Sequence, residues 1–198
     1  MSTLMKKLVL ASTSPYRREL LGRLGLPFEA VAPRFDEQIY QGIAPEEQVQ
    51  SLALGKALSL ADDFPDAVII GSDQVFVAAG EMVGKPGTAE KAFEQLKRMS
   101  GASHTFYTGL AVADTASGEN LTSCVPFTVT LRSLADEEIR NYIRRENPLN
   151  CAGSFMIEGL GIALMEKLEG TDFTALIGLP LIQLVTLLRQ LGINPLAH

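Results

Sequence analysis

Apolar positions recur along this chain in two rhythms, short unbroken runs and stripes at helical spacing, and the two alternate. Residues 6–11 read as a strand, its apolar run Leu8 to Ala11 closing on serine. Residues 15–25 place Leu20, Leu21 and Leu24 on one stripe, with Pro15 at the opening and Gly25 as the stop, which predicts a helix. Phe28 to Val31 reads as a short extended piece before the acidic turn Arg34-Phe-Asp-Glu37. Pro45 opens a helix to about Ala61 carrying Val49, Leu52, Ala53, Ala57 and Leu60. Ala67 to Asp73 is an apolar strand expected to stop at its carboxylate. Thr88 is the expected cap of a helix with Ala92, Phe93, Leu96 and Met99, closed by Ser100 and Gly101. Two strands follow, His104 to Ala113 and Asn120 to Leu131. The second alternates Leu121, Val125, Phe127, Val129 and Leu131 with threonines, so one face is buried and its pairing is antiparallel. Pro126 marks an edge or a bulge there. Ser133 is read as the cap of a helix through Ile139, Tyr142 and Ile143. Gly161 to Leu168 reads as a strand, and Pro180 begins a final helix with Leu181, Leu184, Val185, Leu188 and Leu191.

This alternation implies an α/β fold with a mixed, parallel and antiparallel, elongated sheet and flanking helices. The expected arrangement is one domain over residues 1–198, formed as two lobes around a central cleft. The net charge of −6 argues against a general nucleic-acid binder and leaves room for a local positive pocket. The longest apolar stretch, Leu176 to Leu188, is broken by Gly178, Pro180 and Gln183, so no membrane span is expected. With no leader apparent, Cys124 and Cys151 are expected to stay reduced in a cytoplasmic protein and to serve core packing.

The densest chemistry lies at Ala11-Ser-Thr-Ser-Pro-Tyr-Arg-Arg18. A strand delivering its end to a helix start offers free N–H groups and a positive dipole, and two arginines beside it match phosphate oxygens. An ordinary capped helix, with Ser14 as N-cap and both arginines in solvent, satisfies the same residues. The two histidines, His104 within a strand and His198 at the end, leave no Ser-His-Asp mechanism. Gly80-Glu-Met-Val-Gly-Lys85 is one residue short of a phosphate loop and has Pro86 where Ser or Thr is required. What remains is Asp73, Asp36, Glu37, Lys56 and Lys85. Carboxylates with serines and cations suit a metal-bound triphosphate. Taken singly, Lys56 also reads as a solvated helix residue, Lys85 as a loop charge and Asp36-Glu37 as a turn. Asp73 stands out, because a charge closing a core strand must be paired or exposed in a cleft.

Ala11-Ser-Thr-Ser-Pro-Tyr-Arg-Arg18, Gly71-Ser-Asp-Gln74 and Gly84-Lys-Pro86, in this order and spacing, resemble the Maf family of nucleoside triphosphate pyrophosphatases. The likeness runs from about Lys7 to Pro195. Tyr16, Gln74, Phe106-Tyr-Thr-Gly109 and Cys151-Ala-Gly-Ser-Phe155 followed by Glu158 and Gly159 are similar to its subgroup acting on 7-methyl-GTP. The resemblance implies hydrolysis between the α- and β-phosphates of a nucleoside triphosphate with Mg²⁺ or Mn²⁺, often by a homodimer, with no stable nucleic-acid or membrane partner. It also implies roles: Asp73 as proton acceptor; Ser12, Ser14, Arg17, Arg18, Lys56 and Lys85 on the phosphates; Glu37 and Asp73 toward metal. Tyr16, Gln74 and Glu158 fall where subgroups differ in base choice, Tyr16 by stacking on a cationic ring and Glu158 by accepting from guanine. Met156 departs from the pattern, which has a lysine there. Two other readings share these residues: a nucleotide-sensing regulator of septum formation with little turnover, and a housecleaning enzyme for other modified triphosphates.

Overall fold

The computed structural model describes residues 6–36 and 42–197. Strand β1 (Lys7–Ala11), helix α1 (Pro15–Gly22), β2 (Glu29–Val31), α2 (Pro45–Leu58) and β3 (Ala67–Ala78) come first. They are followed by β4 (Glu81–Met82), α3 (Ala89–Met99), β5 (Ser103–Asp114), β6 (Glu119–Leu131) and α4 (Asp136–Glu146). Then come β7 (Met165–Gly170), α5 (Phe173–Ile177) and α6 (Leu181–Gln190). The strands hydrogen-bond in the order β2-β1-β3-β5-β6-β7, with β4 on β3. β1 runs parallel to β2 and β3, whereas β4 on β3 and β7 on β6 are antiparallel. The fold is therefore a mixed-sheet α/β architecture. Among the described residues no helix is long and apolar enough to cross a membrane.

The chain divides into two compact units: Met1–Gln74 with Thr108–Val125 and Asp172–His198, and Val75–Tyr107 with Pro126–Thr171. In the first, alternate strand positions feed two separate cores, as period two requires. Leu8, Leu10, Val68, Ile70, Leu110 and Val112 pack with Leu20 and Leu21 of α1 and Leu184, Leu187 and Leu188 of α6. Val9, Ala11, Ala67, Ile69, Ala111 and Ala113 pack with Ala53 and Ala57 of α2. In the second unit Phe76, Phe106 and Phe155 form an aromatic cluster, with centroids 4.4 Å apart for the first pair and 5.5 Å for Phe76–Phe155.

Several expectations are corrected. Asp73 does not end its strand: Val75, Phe76 and Val77 keep the chain extended, and β3 continues through Ala78 to pair with β4. Helix α1 stops at Gly22, and Gly25 instead takes a positive φ of 68° in the following turn. Helix α2 ends at Leu58, short of Ala61. The N-cap of α4 is Ala135 rather than Ser133, its N–H held by the Glu138 carboxylate at 2.7 Å. Gly161 lies in a tight turn over Leu160–Leu164, because its N–H bonds to the Met156 carbonyl at 3.1 Å, and β7 starts only at Met165. Helix α5 has no counterpart in the periodicity. Its start is set by Asp172, whose carboxylate accepts from Thr174 N–H at 2.9 Å. Cys124 and Cys151 are free thiols, only half-buried rather than core. Pro126 sits immediately before the stretch Phe127–Leu131 that β7 pairs, where a missing N–H is tolerated.

Candidate functional site

The first unit assembles its chemistry where β1 hands over to α1. Ser12 is buried, and its hydroxyl accepts the Ser14 N–H at 3.1 Å. Ser14 is the N-cap, its side chain accepting from Arg17 N–H at 3.4 Å, and Pro15 takes N1. The capped-helix reading is therefore correct for Ser14. Arg17 does not stand in solvent: its Nε–H donates to the Gly178 carbonyl at 2.8 Å. Arg18 and Tyr16 are exposed.

Lys56 and Asp73 face each other on the α2 side of the sheet. The strand alternation that buries Ala67 and Ile69 under α2 also points Asp73 there. Close approach of α2 makes the pairing possible. A Cβ on Gly71 would stand 2.0 Å from the Ala53 carbonyl oxygen, and one on Gly109 2.1 Å from that of Val49. Glycine at both positions lets the helix backbone rest on β3 and β5. Lys56 Nζ then reaches Asp73 Oδ1 at 2.5 Å, with the two side chains only 8% and 11% exposed. Lys56 is thus a buried cation rather than a solvated helix residue. A buried ion pair is retained at a desolvation cost, and removing one partner leaves the other charge uncompensated.

The residues flanking Asp73 point to the other face. Ser72 Oγ lies 2.8 Å from the Gly109 carbonyl oxygen and 2.9 Å from that of Gly178. Gln74 Nε2 lies 2.9 Å from Thr108 Oγ1, 2.9 Å from the Ala175 carbonyl and 3.2 Å from the Leu176 carbonyl. Thr108 Oγ1 also donates to Ala175 at 2.8 Å. The amide nitrogen of Gln74 is committed to the C-terminal carbonyls of α5.

Lys85 and Glu158 belong to the second unit, and both are exposed. Each is felt at Cys151: burial raises its thiol pKa, Glu158 and Glu146 raise it further, and Lys85 opposes them. Desolvation also holds the Glu158 carboxyl above the usual carboxylate range, partly offset by its own backbone N–H. The segment around Glu158 is gripped from α4. Met156 N–H donates to Tyr142 Oη at 3.1 Å, and Leu160 N–H to Glu146 Oε2 at 2.8 Å. Inside the segment the Gly159 and Gly161 N–H groups both reach the Met156 carbonyl, at 3.3 and 3.1 Å. Met156, where a lysine was expected, thus serves the turn through its backbone.

Glu37 lies outside the described residues. Ser12, Ser14, Tyr16, Arg17, Arg18, Lys56, Asp73 and Gln74 fall in the first unit. Ser72 and Thr108 stand inside the motifs Gly71-Ser-Asp-Gln74 and Phe106-Tyr-Thr-Gly109 but were given no role of their own, and Gly178, Tyr142 and Glu146 were given none at the site. A serine inside the apolar run before Asp73 was a usable signal for Ser72. Glu146 had none, since its partner is a backbone N–H fourteen residues on.

Among the described residues no three His, Cys, Asp or Glu side chains are grouped so as to hold a metal ion. The Asp73 carboxylate is a hard oxygen donor. A single such donor suits a cation that takes most of its ligands from phosphate and water.

The family profile described as "Maf-like protein" matches residues 7–191. A Syntrophotalea carbinolica protein named 7-methyl-GTP pyrophosphatase is 60% identical over 193 residues, 97% of this chain and 98% of its own. A Pseudomonas aeruginosa protein of the same name is 51% identical over 190 residues, covering 96% and 99%. Among solved structures, a chain titled as the Staphylococcus aureus Ham1 protein aligns at 14% identity with a TM-score of 0.46, over 65% of this chain and 73% of that one.

Proposed function

The chain belongs to the Maf-like protein family, and from that premise we propose that it hydrolyses 7-methyl-GTP to 7-methyl-GMP and diphosphate. It is a hydrolase acting on phosphoric anhydride bonds, and near-full-length relatives at 60% and 51% identity carry the name of this activity. The observation that best supports the catalytic assignment is the buried pair of Lys56 Nζ and Asp73 Oδ1 at 2.5 Å.

In this reading water cleaves the α–β anhydride and Asp73 takes its proton, the Lys56 ammonium fixing the carboxylate's orientation. Arg17, Arg18, Lys56 and Lys85 offset the negative charge that grows on the departing diphosphate, with Ser12 and Ser14 shaping the loop that receives phosphate. Arg17 has its guanidinium plane set by the bond to Gly178, which suits it to orient phosphate oxygens. Asp73 would hold a Mg²⁺ or Mn²⁺ ion together with Glu37. When bound, such an ion neutralises phosphate charge as a Lewis acid. Tyr16, which is 43% exposed, offers a ring face to the cationic 7-methylguanine. Glu158 accepts from the guanine edge and balances its charge. Gln74 is assigned to base choice on the resemblance alone. The reading covers residues 1–198 as one catalytic domain, acting in the cytoplasm, where free Cys124 and Cys151 stay reduced. It includes a homodimer, which light scattering tests.

Diphosphate release from 7-methyl-GTP, GTP, dTTP, UTP and ITP, measured with Mg²⁺ and with Mn²⁺, tests this function. The expected result is fastest turnover of 7-methyl-GTP. Equal turnover of all five, or binding without release, overturns it.

A further inference from the structure

We propose that Ser72 and Gly178 are positioning residues that tie the Arg17 guanidinium to the strand carrying Asp73. The proposal rests on the reading above, in which Arg17 meets phosphate and Asp73 accepts the proton.

One carbonyl oxygen makes the link. A carbonyl oxygen has two lone pairs, and that of Gly178 receives Arg17 Nε–H at 2.8 Å and Ser72 Oγ at 2.9 Å. Ser72 is fully buried and covalently adjacent to Asp73. Its single proton is shared between the Gly178 and Gly109 carbonyls, so the hydroxyl spans β3, β5 and the segment after α5. The acid and the arginine are thereby separated by one side-chain hydroxyl and one peptide oxygen. All of these residues lie in the same unit.

The peptide oxygen is itself held in place. Gly178 N–H closes α5 on Ala175 and Thr174 at 3.0 and 3.1 Å. Gln74 and Thr108 engage the carbonyls of Ala175 and Leu176 from the sheet. At the other end, the Asp172 carboxylate accepts from Thr174 N–H at 2.9 Å and from Ile182 N–H at 2.8 Å, locking α5 to the start of α6. Gly178 adopts φ +121°, where a side chain is strained, and a Cβ there would lie 3.4 Å from Arg17 Nε. The positive φ is what calls for glycine here, and a Cβ would only touch the arginine in ordinary contact. A helix of five residues with this many fixed carbonyls is a bracket for the group at its end, and that group is Arg17.

The test is a double-mutant cycle on diphosphate release from 7-methyl-GTP, with Ser72→Ala, Arg17→Ala and their combination, and with melting curves for each. Ser72→Ala is expected to lower kcat/KM by about tenfold, the scale of a misplaced catalytic group, and to cost almost nothing more in the Arg17→Ala background. Because both side chains bond one carbonyl, their melting-temperature losses are not expected to add; rates are compared per folded protein, where a merely structural role for Ser72 gives equal losses in both backgrounds. Ser72→Cys, of similar size and a weaker donor, gives an intermediate value and serves if the alanine variant does not fold. Equal activity losses with and without Arg17, or wild-type kcat/KM in both Ser72 variants, would overturn the proposal. An Arg17→Ala protein with wild-type turnover would instead show that the phosphate reading has failed, and the positioning role with it.

Discussion

The Lys56–Asp73 pair and the Glu158 segment hold their acids in opposite ways. Asp73 is enclosed, and its partner is a side chain brought in by a helix resting on glycine. Glu158 is at the surface, and what is fixed is the backbone on either side of it, by Tyr142 and Glu146 one turn apart on α4. The first arrangement fixes a charge in low dielectric, where orientation is worth most to a proton acceptor. The second fixes a turn and leaves the carboxylate to meet a ligand. On the proposed roles, chemistry and selectivity would be supported by different physics, and damage to each should look different.

The largest effect is expected at Asp73. Asp73→Asn should lower diphosphate release by about a thousandfold with an unchanged circular dichroism spectrum. Activity within a few fold of wild type would remove the acid from its role. Lys56→Met should follow, losing activity by roughly a hundredfold. Because it strands a buried carboxylate, it should also lose about 3–5 kcal/mol of stability, read from denaturant unfolding. A stable, inactive Lys56→Met protein would mean that the pair contributes to catalysis alone.

Glu158→Gln is expected to leave folding and the rate on GTP nearly intact. It should reduce the preference for 7-methyl-GTP about tenfold, as loss of a charge-assisted contact would. The same preference should fade on acidification. Partial desolvation by its surroundings raises the folded-state pKa of Glu158, so the carboxylate is lost at a higher pH than an ordinary glutamate would show. In the window between the unfolded and folded pKa the native state binds more protons, so this residue's contribution to stability falls as pH rises. Both trends should be flat in the Gln variant. A preference independent of pH in the wild type would break the comparison from the Glu158 side. Glu146→Ala should give the smallest effect, about threefold on the same preference, because it frees one end of the segment while Tyr142 keeps the other.

Much of this was legible in the sequence because period and residue type carried it. The strands β1, β3 and β5, the Thr88 cap and the alternation of β6 follow from side-chain pattern, and the cap and the alternation appear as read. The loop Ser12 to Arg18 was legible from its helix-start chemistry. Three things were not. Asp73 looked like a strand end because a charge in mid-strand is costly, and the compensating Lys56 lies seventeen residues away on a helix. Gln74 looked free for a ligand because nothing local reveals that its amide closes α5 carbonyls 101 and 102 residues further on. Helix α5 escaped because five residues are too few for a helical stripe, and its capping carboxylate reads as an ordinary turn acid.

Ser72, Asp73 and Gln74 are consecutive, yet the pleat sends the middle one under α2 and its neighbours toward α5. Length is therefore as strictly constrained here as composition. Deleting a single residue between Ile69 and Ser72 would invert the register, turning the acid away from its lysine and putting Gln74 in its place. Insertions and deletions in this stretch should be intolerable even where each individual side chain can be exchanged.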